Sequence, residues 1–522
     1  MFTLLASVQK QFAMNRKLYV AFIDFEKAFD SINRNLLWPI LMKNNIRGKL
    51  LNCVKSMYNS VKARVRCGAK LSDIINCTAG VKQGDVCSPV LFSLFINELA
   101  LDVIEKGRHG VRFSIDVFEL FILLLADDVS LLSETVVGLQ TQLNSLACAA
   151  KRLGLKVNIN KSNIVVFRKG GYLAARETWR LNGSIMPVVN VYKYLGILFS
   201  TKLSFSATCK DLASRGKSAL LQIMHKLFCL ENNSLTVLLK LFDAKILPVL
   251  LYGAELWGLD KAADYCEKTH LFALKKFLGV DQRTPNDLVY GETNRYPLTI
   301  SCSVRCIRYW LKLVMMTDNR LPHKAYVMLR RLDGNGKQNW VTSVRKLLFE
   351  FGFGHVWLNQ GVNDVKAFTC CFRQRLIDCR WQQWEDHIGS SDRFSFYSAF
   401  SGTSHFVKPY LHVDMSRHLK CIVARFRLGI SDINVHYNRY RNVSDDDLKC
   451  PLCMECLENE IHFVLVCPIL RPLREQYIPR KFYREPCLFR LHLLLASTNE
   501  NIVKNLAVYL YRAFKIRNAL NS

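Results

Sequence analysis

The chain of 522 residues has no uninterrupted apolar run long enough to cross a membrane. Leu235–Trp257 comes closest, but four charged side chains interrupt it: Lys240, Asp243, Lys245 and Glu255. A spanning helix needs about 20 consecutive apolar residues. Met1 is likewise not followed by a basic region and an apolar segment of the secretory kind. These absences argue against a membrane protein and a secreted one.

Acidic residues are also few: the chain has 43 Asp and Glu residues against 72 Lys and Arg residues. Its formal net charge is therefore +29. Such an excess predicts a polyanionic partner, most often nucleic acid and less often an anionic membrane surface. A basic protein without any polyanion is the alternative. Half of the residues are hydrophobic and 22% are charged, which is typical of folded domains and excludes a largely disordered chain. The length allows several domains.

Nineteen cysteines do not have the pattern of a small disulfide-rich protein. Most stand in apolar surroundings, as Cys148, Cys229 and Cys306 do, which predicts buried and reduced thiols. The sequence therefore indicates a reducing intracellular compartment, the cytoplasm or the nucleus. We find no internal repeat and no low-complexity segment.

Periodicity predicts an α+β region followed by a mostly helical one. Expected strands cover 18–24, 156–160 and 164–168, and hairpins are expected at 62–77 and 192–200. Helices are expected after Asn33, after Ser88-Pro89 and up to Gly154, because these residues are typical of helix ends. From about residue 205 the pattern is mostly helical. Five tryptophans there favour helix packing over base stacking: Trp310, Trp340, Trp357, Trp381 and Trp384.

Asp127 and Asp128 interrupt the apolar run Val117–Ser133, which predicts two buried strands joined by a tight turn. Two neighbouring carboxylates repel each other, and both remain ionised at low cost only if a hard cation binds them. An ordinary Asp-rich turn is the alternative. Asp24 ends the first strand, so it can join the pair if the two strands are neighbours. Three carboxylates in this arrangement can hold two divalent ions for phosphoryl transfer.

Six segments follow one another along the chain: Phe22–Asp30, Gly80–Phe92, Ala126–Asp128, Gly154–Ser162, Tyr194–Gly196 and Leu247–Trp257. The first five resemble, in this order, motifs of the polymerase region in the reverse transcriptases of non-LTR (LINE-type) retrotransposons, and the last resembles a segment of their thumb. The resemblance implies a right-hand polymerase palm of α+β architecture, a helical thumb, and a reaction that copies RNA into DNA. The implied partners are an RNA template, a DNA primer or target, and dNTPs, with two Mg²⁺ or Mn²⁺ ions as cofactors.

Carried over by position, the resemblance implies that Asp24, Asp127 and Asp128 are the catalytic, metal-binding carboxylates. Phe29 falls where the family places the side chain that abuts the sugar of the incoming nucleotide. Gln83 matches a nucleotide-contacting glutamine, and Lys161 matches a lysine that can protonate the leaving pyrophosphate. Asp30 is expected to serve helix entry and not the metal site.

The sequence departs from the family in two places. Leu125 stands where the family usually has an aromatic residue. The first motif begins only about 20 residues from Met1, so we expect an N-terminally truncated chain whose fingers are largely missing. In chain order we expect a palm with partial fingers (1–200), a helical thumb or connection (201–290), a helical C-terminal region (291–445), a zinc knuckle (446–470) and C-terminal helices (471–522).

Cys450, Cys453, His462 and Cys467 have the spacing of a closed, structural zinc site, with Cys456 as a possible competing ligand. Unrelated buried cysteines are the alternative. The cluster also resembles the zinc knuckle that follows the polymerase in LINE-type proteins. Side chains near it are expected to contact nucleic acid: Arg425, Arg427, Arg439, Arg441, Arg471, Arg474, Tyr437 and Tyr440. A solvated basic face is the alternative there.

The sequence therefore predicts an RNA-directed DNA polymerase of a retrotransposon. An inactive remnant that binds nucleic acid without polymerising is the first alternative, and a basic membrane-surface protein is the second.

Overall fold

The computed structural model describes residues 1–106, 109–113, 118–228, 235–391, 394–401, 408–438 and 448–519. Its strands are β1 (Leu18–Ile23), β2 (Lys62–Ala63), β3 (Arg66–Cys67), β4 (Lys70–Leu71), β5 (Ile75–Asn76), β6 (Val111–Arg112), β7 (Glu119–Leu120), β8 (Ile122–Leu125), β9 (Asp128–Ser133), β10 (Asn163–Phe167), β11 (Arg180–Leu181), β12 (Ser184–Ile185), β13 (Val191–Tyr194) and β14 (Ile197–Ser200).

Helices account for most of the remaining structure. They are α1 (Phe2–Ala13), α2 (Arg34–Lys43), α3 (Gly48–Tyr58), α4 (Ser88–Lys106), α5 (Val136–Leu153), α6 (Ser206–Phe228), α7 (Leu235–Leu241), α8 (Leu247–Leu250), α9 (Ala254–Trp257), α10 (Asp264–Leu278), α11 (Asn286–Thr293), α12 (Leu298–Val314), α13 (Leu321–Gly334), α14 (Trp340–Glu350), α15 (Gly354–Leu358), α16 (Val365–Ser390), α17 (Ser395–Ser401), α18 (Arg417–Arg427), α19 (Asn434–Asn438), α20 (Arg471–Tyr477), α21 (Arg480–Tyr483), α22 (Leu488–Leu495) and α23 (Glu500–Ala519). Among the described residues, no helix is both long and apolar enough to span a membrane.

The chain forms two compact units. The first unit consists of Met1–Thr208, Trp310–Glu350 and Gly354–Gly361. The second consists of Cys209–Tyr309, Phe351–Phe353 and Val362–Ser522. The first unit contains every strand named above, and the second is helical, so the predicted change from mixed to helical structure near residue 205 is confirmed.

A four-stranded antiparallel sheet in the order β10-β1-β9-β8 organises the first unit. All six residues of β1 are buried, because both faces of this central strand are covered. Tyr19, Ala21 and Ile23 belong to the apolar core that the helices α2, α4 and α5 share with the sheet. On the other face Phe22 stacks on Tyr192 of β13, with 4.3 Å between ring centroids. Successive residues of a strand point to opposite faces, which explains the unbroken apolar sequence of β1.

Local sequence signals set several helix ends as expected. The Asn33 side chain accepts a hydrogen bond from the Asn35 amide at the start of α2. Gly154 ends α5 with φ +70°, the left-handed conformation that glycine adopts without strain. These two predictions are confirmed, as are the hairpin at 62–77 and the hairpin formed by β13 and β14.

Other expectations were wrong. The stretch 156–160 is a turn with a single bridge from Val157 to Phe25, because its backbone groups bond within the turn and to Asp24 instead of along a strand. Cys148 is exposed, since it lies on the outer side of α5, whereas Cys306 is buried as expected. Cys229 lies outside the described residues. All cysteines of the described residues are free thiols.

The tryptophans pack inside the units as predicted. Trp310, Trp340, Trp357 and Trp384 are all less than 10% exposed, and Trp381 stacks on Trp384 at 4.6 Å. Core packing, and not base stacking, is therefore their role in the structure.

Candidate active site and metal cluster

The antiparallel pairing of β1 with β9 brings the three predicted carboxylates to one end of the sheet. Ile23 is opposite Val129 in the register, so Asp24 follows β1 at the level of Asp128. Leu125 pairs with Asp128 and closes a two-residue turn in which Ala126 has φ +52°. Asp127 is the second residue of that turn. The predicted strand, turn and strand are therefore confirmed. The expected burial holds only for β9, because the residues of β8 are half-buried and Leu125 is 55% exposed beside the turn.

The electrostatics of this end of the sheet reflect the three carboxylates. Partial burial raises the pKa of Asp128, and the negative charges of Asp127 and Asp24 raise it further. Burial also raises the pKa of Tyr192 to about 12, with Asp128 and Asp24 contributing to the shift. Like charges held together in this way favour a bound cation, and oxygen donors suit a hard divalent ion. The donor set therefore fits the implied metal chemistry.

Asp24 is held by a turn that precedes β10. The Asp24 amide donates to Ser162 Oγ at 3.0 Å, and the Asn158 amide donates to the Asp24 carbonyl at 2.8 Å. Ser162 is fully buried, and its hydroxyl donates in turn to the Asn158 carbonyl at 2.8 Å. Lys161 lies in the same turn and is exposed to solvent. This turn thus connects the carboxylate end of β1 to the position predicted for the proton donor.

The loop that carries Gln83 is docked on the segment that carries Phe29. The Val81 amide donates to the Phe29 carbonyl at 2.9 Å, and the Gly80 amide donates to the Ile32 carbonyl at 2.8 Å. A Cβ atom at Gly80 would lie 2.7 Å from the Asp30 carbonyl oxygen, so only glycine allows this approach. Gln83 and Phe29 therefore lie on adjacent segments, although 54 positions separate them in the chain.

Within this pair of segments, Gln83 Nε2 donates to the Asp30 carboxylate at 3.2 and 3.3 Å. Asp30 thus orients the exposed glutamine instead of taking part in the metal site. Phe29 is half-buried and stacks on Phe92 with 4.2 Å between ring centroids. The Phe92 ring fixes one face of Phe29 and supports it from α4.

Arg34 holds the same loop from the first turn of α2, and sequence reasoning missed it. Its guanidinium donates to the carbonyls of Gly80 at 2.9 Å, Ala79 at 3.0 Å and Cys77 at 2.9 Å. A fourth bond reaches the Tyr58 carbonyl at 3.2 Å. No spacing rule signals such contacts, because each acceptor is a backbone carbonyl. Sequence reasoning also missed the position of Tyr192 beside the carboxylates. The alternation of Tyr192 with Tyr194 along β13 could have shown that both rings lie on one face of the strand.

The second predicted site lies in the second unit, where Cys450, Cys453, His462 and Cys467 bring their ligand atoms within 4.8 Å of one another. Cys453 Sγ lies 3.4 Å from His462 Nε2. Within the described ranges this quartet is the one group of three or more Cys, His, Asp or Glu side chains gathered closely enough for a single ion, and Asp24, Asp127 and Asp128 are less closely gathered. Cys456 is exposed and outside the quartet, and its carbonyl accepts a hydrogen bond from the Cys450 amide at 2.8 Å. Three thiols and an imidazole fit Zn²⁺.

Buried side chains hold the segment that carries His462 and Cys467. Residues His462–Val466 form a turn of π-helix, in which backbone amides bond to carbonyls five residues earlier. Arg474 donates to the Val464 carbonyl at 2.9 Å and to the Cys467 carbonyl at 2.7 Å. The Tyr509 hydroxyl donates to the Phe463 carbonyl at 2.8 Å. The cluster is therefore braced by α20 and α23.

These contacts correct part of the predicted nucleic-acid surface around the cluster. Arg427 and Arg474 are 2% and 4% exposed and are used inside the fold, so neither can contact a nucleic acid. Arg427 pairs with the buried Glu292 carboxylate at 2.7 Å. Arg471 is exposed and pairs with Glu475. Arg439, Tyr440 and Arg441 lie outside the described residues, as does the side chain of Tyr437.

Comparisons with known proteins agree with the motifs. Residues 2–199 match the family model described as reverse transcriptase (RNA-dependent DNA polymerase). The chain is 26% identical over 257 residues to the RNA-directed DNA polymerase from mobile element jockey of Drosophila melanogaster, covering 47% of this chain and 27% of the relative. It is 27% identical over 287 residues to the Pol polyprotein from the type-1 retrotransposable element R2 of Popillia japonica, covering 53% and 38%.

A third relative is the probable RNA-directed DNA polymerase from transposon BS of Drosophila melanogaster, 29% identical over 254 residues, with coverage of 47% and 27%. The chain thus matches about a quarter to two fifths of the length of these relatives. Among solved structures, telomerase from Candida albicans in complex with a fragment of telomeric RNA covers 61% of this chain and 51% of its own, at 12% identity. Its TM-score of 0.25 is too low to carry an argument. Residues 2–199 therefore carry a reverse transcriptase domain of mixed helix and sheet, similar to those of non-LTR retrotransposons.

Proposed function

We propose that the chain is an RNA-directed DNA polymerase of a retrotransposon, which adds dNTPs to the 3′ end of a primer on an RNA template. The observation that carries the proposal is the meeting of Asp24 with Asp127 and Asp128 at one end of the sheet, where partial burial raises the pKa of Asp128 and the two neighbouring carboxylates raise it further. Such a site needs a cation, and the family generally uses divalent metal ions. RNA template, DNA primer or target, and dNTPs are the proposed partners.

In this proposal the three carboxylates hold two Mg²⁺ or Mn²⁺ ions. Bound there, the ions would supply activation of the primer 3′ hydroxyl and charge neutralisation of the departing pyrophosphate. Phe29 borders the sugar of the incoming nucleotide. Its stacking on Phe92 prevents the ring from moving aside, so the 2′ hydroxyl of a ribonucleotide would clash with it. Gln83, oriented by Asp30, contacts the nucleotide. Lys161 protonates the pyrophosphate, which its exposed position permits.

Primer extension on an RNA template tests the proposal, with purified chain, dNTPs and Mg²⁺ or Mn²⁺. The Asp127→Ala, Asp128→Ala double variant provides the comparison. Extension by the wild type alone supports the carboxylate site. If neither protein extends the primer and both retain salt-sensitive RNA binding, the polymerase proposal is wrong. The chain would then be a protein that binds nucleic acid without polymerising.

We also propose that Cys450, Cys453, His462 and Cys467 hold one structural Zn²⁺ ion. The support is the closeness of the four ligand atoms and the bracing of His462 and Cys467 by α20 and α23. Free thiols throughout the described chain fit a reducing compartment, the cytoplasm or the nucleus.

Metal analysis of the purified chain tests the zinc proposal. Cys453→Ser should lose the ion and lower the melting temperature, because a closed zinc site contributes folding free energy directly. Cys456→Ser, a neighbouring thiol outside the quartet, should retain one Zn²⁺ per chain. Equal zinc content in the two variants would contradict the ligand set.

A further inference from the structure

The second unit contains a groove of about 1010 Å³ that no part of the polymerase site uses. One wall is the end of α10 with the loop that follows it, from Lys276 to Pro285. The other wall is α18 with Ile430 and Asp432. The two walls approach closely at Gly279, where an added Cβ would lie 2.4 Å from Cys421 Sγ.

The α18 wall presents basic side chains in a fixed row. Arg417, Cys421 and Arg425 all line the groove at helical spacings of four residues, so the two arginines are about 12 Å apart along the helix. Arg417 Nη2 donates to the Lys276 carbonyl at 2.8 Å, and Arg425 Nε donates to the Gly279 carbonyl at 2.7 Å. Each guanidinium is thus held in place by a backbone oxygen at the end of α10. An arginine oriented in advance loses less entropy when it binds a phosphate.

The opposite wall adds further positive charge. Lys276 and Arg283 are exposed there, and no salt bridge within the described chain joins either of them, or Arg425, to a carboxylate. The acidic side chains of the lining are Asp281 and Asp432, fewer than the basic ones. Thr284 also lines the groove and is 4% exposed.

An aromatic pocket of about 330 Å³ continues the groove and shares His418, Arg425 and Asp432 with it. Tyr511 of α23 lines this pocket, is 40% exposed and contacts the His418 ring edge-to-face at 5.3 Å. Phe514 and Lys515 complete the same side. A basic groove that leads to exposed rings is the arrangement by which proteins bind single strands, with phosphates in the groove and bases on the rings.

We infer that this groove binds the phosphodiester backbone of a single-stranded nucleic acid, with an unpaired base in the pocket beside Tyr511. A single strand is specified because a base must leave its helical stack to reach an aromatic ring. The inference does not depend on polymerase activity, since every residue involved belongs to the second unit.

Binding of a labelled 12-nucleotide strand, measured by fluorescence anisotropy over a range of salt concentrations, tests the inference on the full chain. The variant is Lys276→Ala, Arg283→Ala, because within the described residues neither side chain forms a hydrogen bond or a salt bridge, whereas Arg417 and Arg425 hold the end of α10. Lys276 Nζ makes one weak contact, at 5.9 Å from the centre of the Phe272 ring. We expect roughly tenfold weaker binding and a slope of log K against log salt that is flatter by about 1.4, or about 0.7 for each lost phosphate contact.

The matched control is Lys366→Ala, Arg375→Ala, which removes the same charge from exposed positions of α16 outside the groove. It should bind as the wild type does. Equal losses in the two variants would show only general attraction by a basic protein, and the groove would then not be the site.

Two further measurements locate the base and identify the ligand. Photocrosslinking with a strand that carries 4-thiouridine should label the peptide containing Tyr511, and Tyr511→Ala should weaken binding about tenfold without changing the salt slope. A mononucleotide and inorganic phosphate should compete poorly with the strand. Competition by either at the affinity of the strand, or crosslinks confined to the first unit, would overturn the inference.

Discussion

Asp128 carries a charge that its surroundings disfavour. Its pKa is raised in the folded chain, so protonated Asp128 is favoured by folding and the ionised form reduces stability. The penalty is absent below the ordinary aspartate pKa, grows as pH rises through the raised value and is complete above it. A bound divalent cation would offset the part of the penalty that comes from the charges of Asp127 and Asp24.

We therefore expect Asp128→Asn to raise the melting temperature of the metal-free protein at pH 7, while primer extension falls on the order of 10³-fold. Mg²⁺ should stabilise the wild type and have little effect on the variant. Thermal unfolding with and without Mg²⁺ measures both effects. Asp73→Asn, an exposed carboxylate of the β4–β5 turn, is the control and should change neither quantity. A wild type that Mg²⁺ does not stabilise would contradict this account of the site.

Arg34 is expected to act as a positioning residue for the Gln83 loop. Arg34→Met leaves four carbonyls without their donor, which should cost about 1–3 kcal/mol of stability. Because the loop presents Gln83, KM for dNTP should rise roughly tenfold, with a smaller change in kcat. Steady-state primer extension separates the two constants. Arg47→Met removes one exposed arginine with a single backbone contact and should leave KM unchanged. An equal rise in KM in this control would refute a specific role for Arg34.

For single residues, the sequence predicts a functional role where the chemistry of the role allows only a few residue types. The meeting of Asp24, Asp127 and Asp128 and the clustering of three cysteines with His462 could be predicted, because few residue types are suited to bind metals. Ser162 and Arg34 could not, since a hydroxyl or guanidinium that bonds to backbone carbonyls leaves no pattern in the sequence. Their partners are defined only once distant segments are folded together.

Among the elements, strands and helices were predictable where one face had to be apolar. The segment 156–160 was mistaken for a strand because its alternation of apolar and polar residues fits a turn that packs Val157 inward equally well. Arg427 was mistaken for a surface residue because a basic side chain is rarely buried, and its partner Glu292 is 135 residues away. Contacts between helices distant in sequence decide such cases.

Arg427→Met provides a quantitative test of that pairing. The variant would leave Glu292, which is fully buried, without its cation, and breaking such a pair costs about 3–5 kcal/mol. Chemical denaturation should show this loss. The Glu292→Gln, Arg427→Met double variant should recover part of it, because the buried carboxylate is removed together with its partner. If the variant loses less than about 1 kcal/mol of unfolding free energy and binds single-stranded nucleic acid more weakly, Arg427 is an exposed nucleic-acid contact and not a buried ion-pair partner.

The whole molecule is defined by its charge, since 72 basic residues oppose 43 acidic ones. Most of the excess is on the surface, and the exceptions, such as Arg427 and Arg474, are buried and held by protein acceptors. A surface of this kind attracts the phosphates of any nucleic acid, whereas the carboxylates of the sheet repel them. The sequence predicted the attraction, but the positions of the repulsive charges depend on how β1 and β9 pair.

From these opposed charges we predict how nucleic acid binds in the absence of metal. RNA affinity should fall steeply with salt, by about 10³-fold or more between 50 and 200 mM if six or more phosphates are contacted. Asp127→Asn, Asp128→Asn should bind a primer–template duplex more tightly than the wild type does in EDTA, because two charges that repel its phosphates are removed. With Mg²⁺ present the order should reverse, since only the wild type can share cations with the nucleic acid. Filter binding in both buffers measures the four affinities. If the variant and the wild type bind equally in both, the nucleic acid does not lie over the carboxylates, and their charge serves some purpose other than polymerisation.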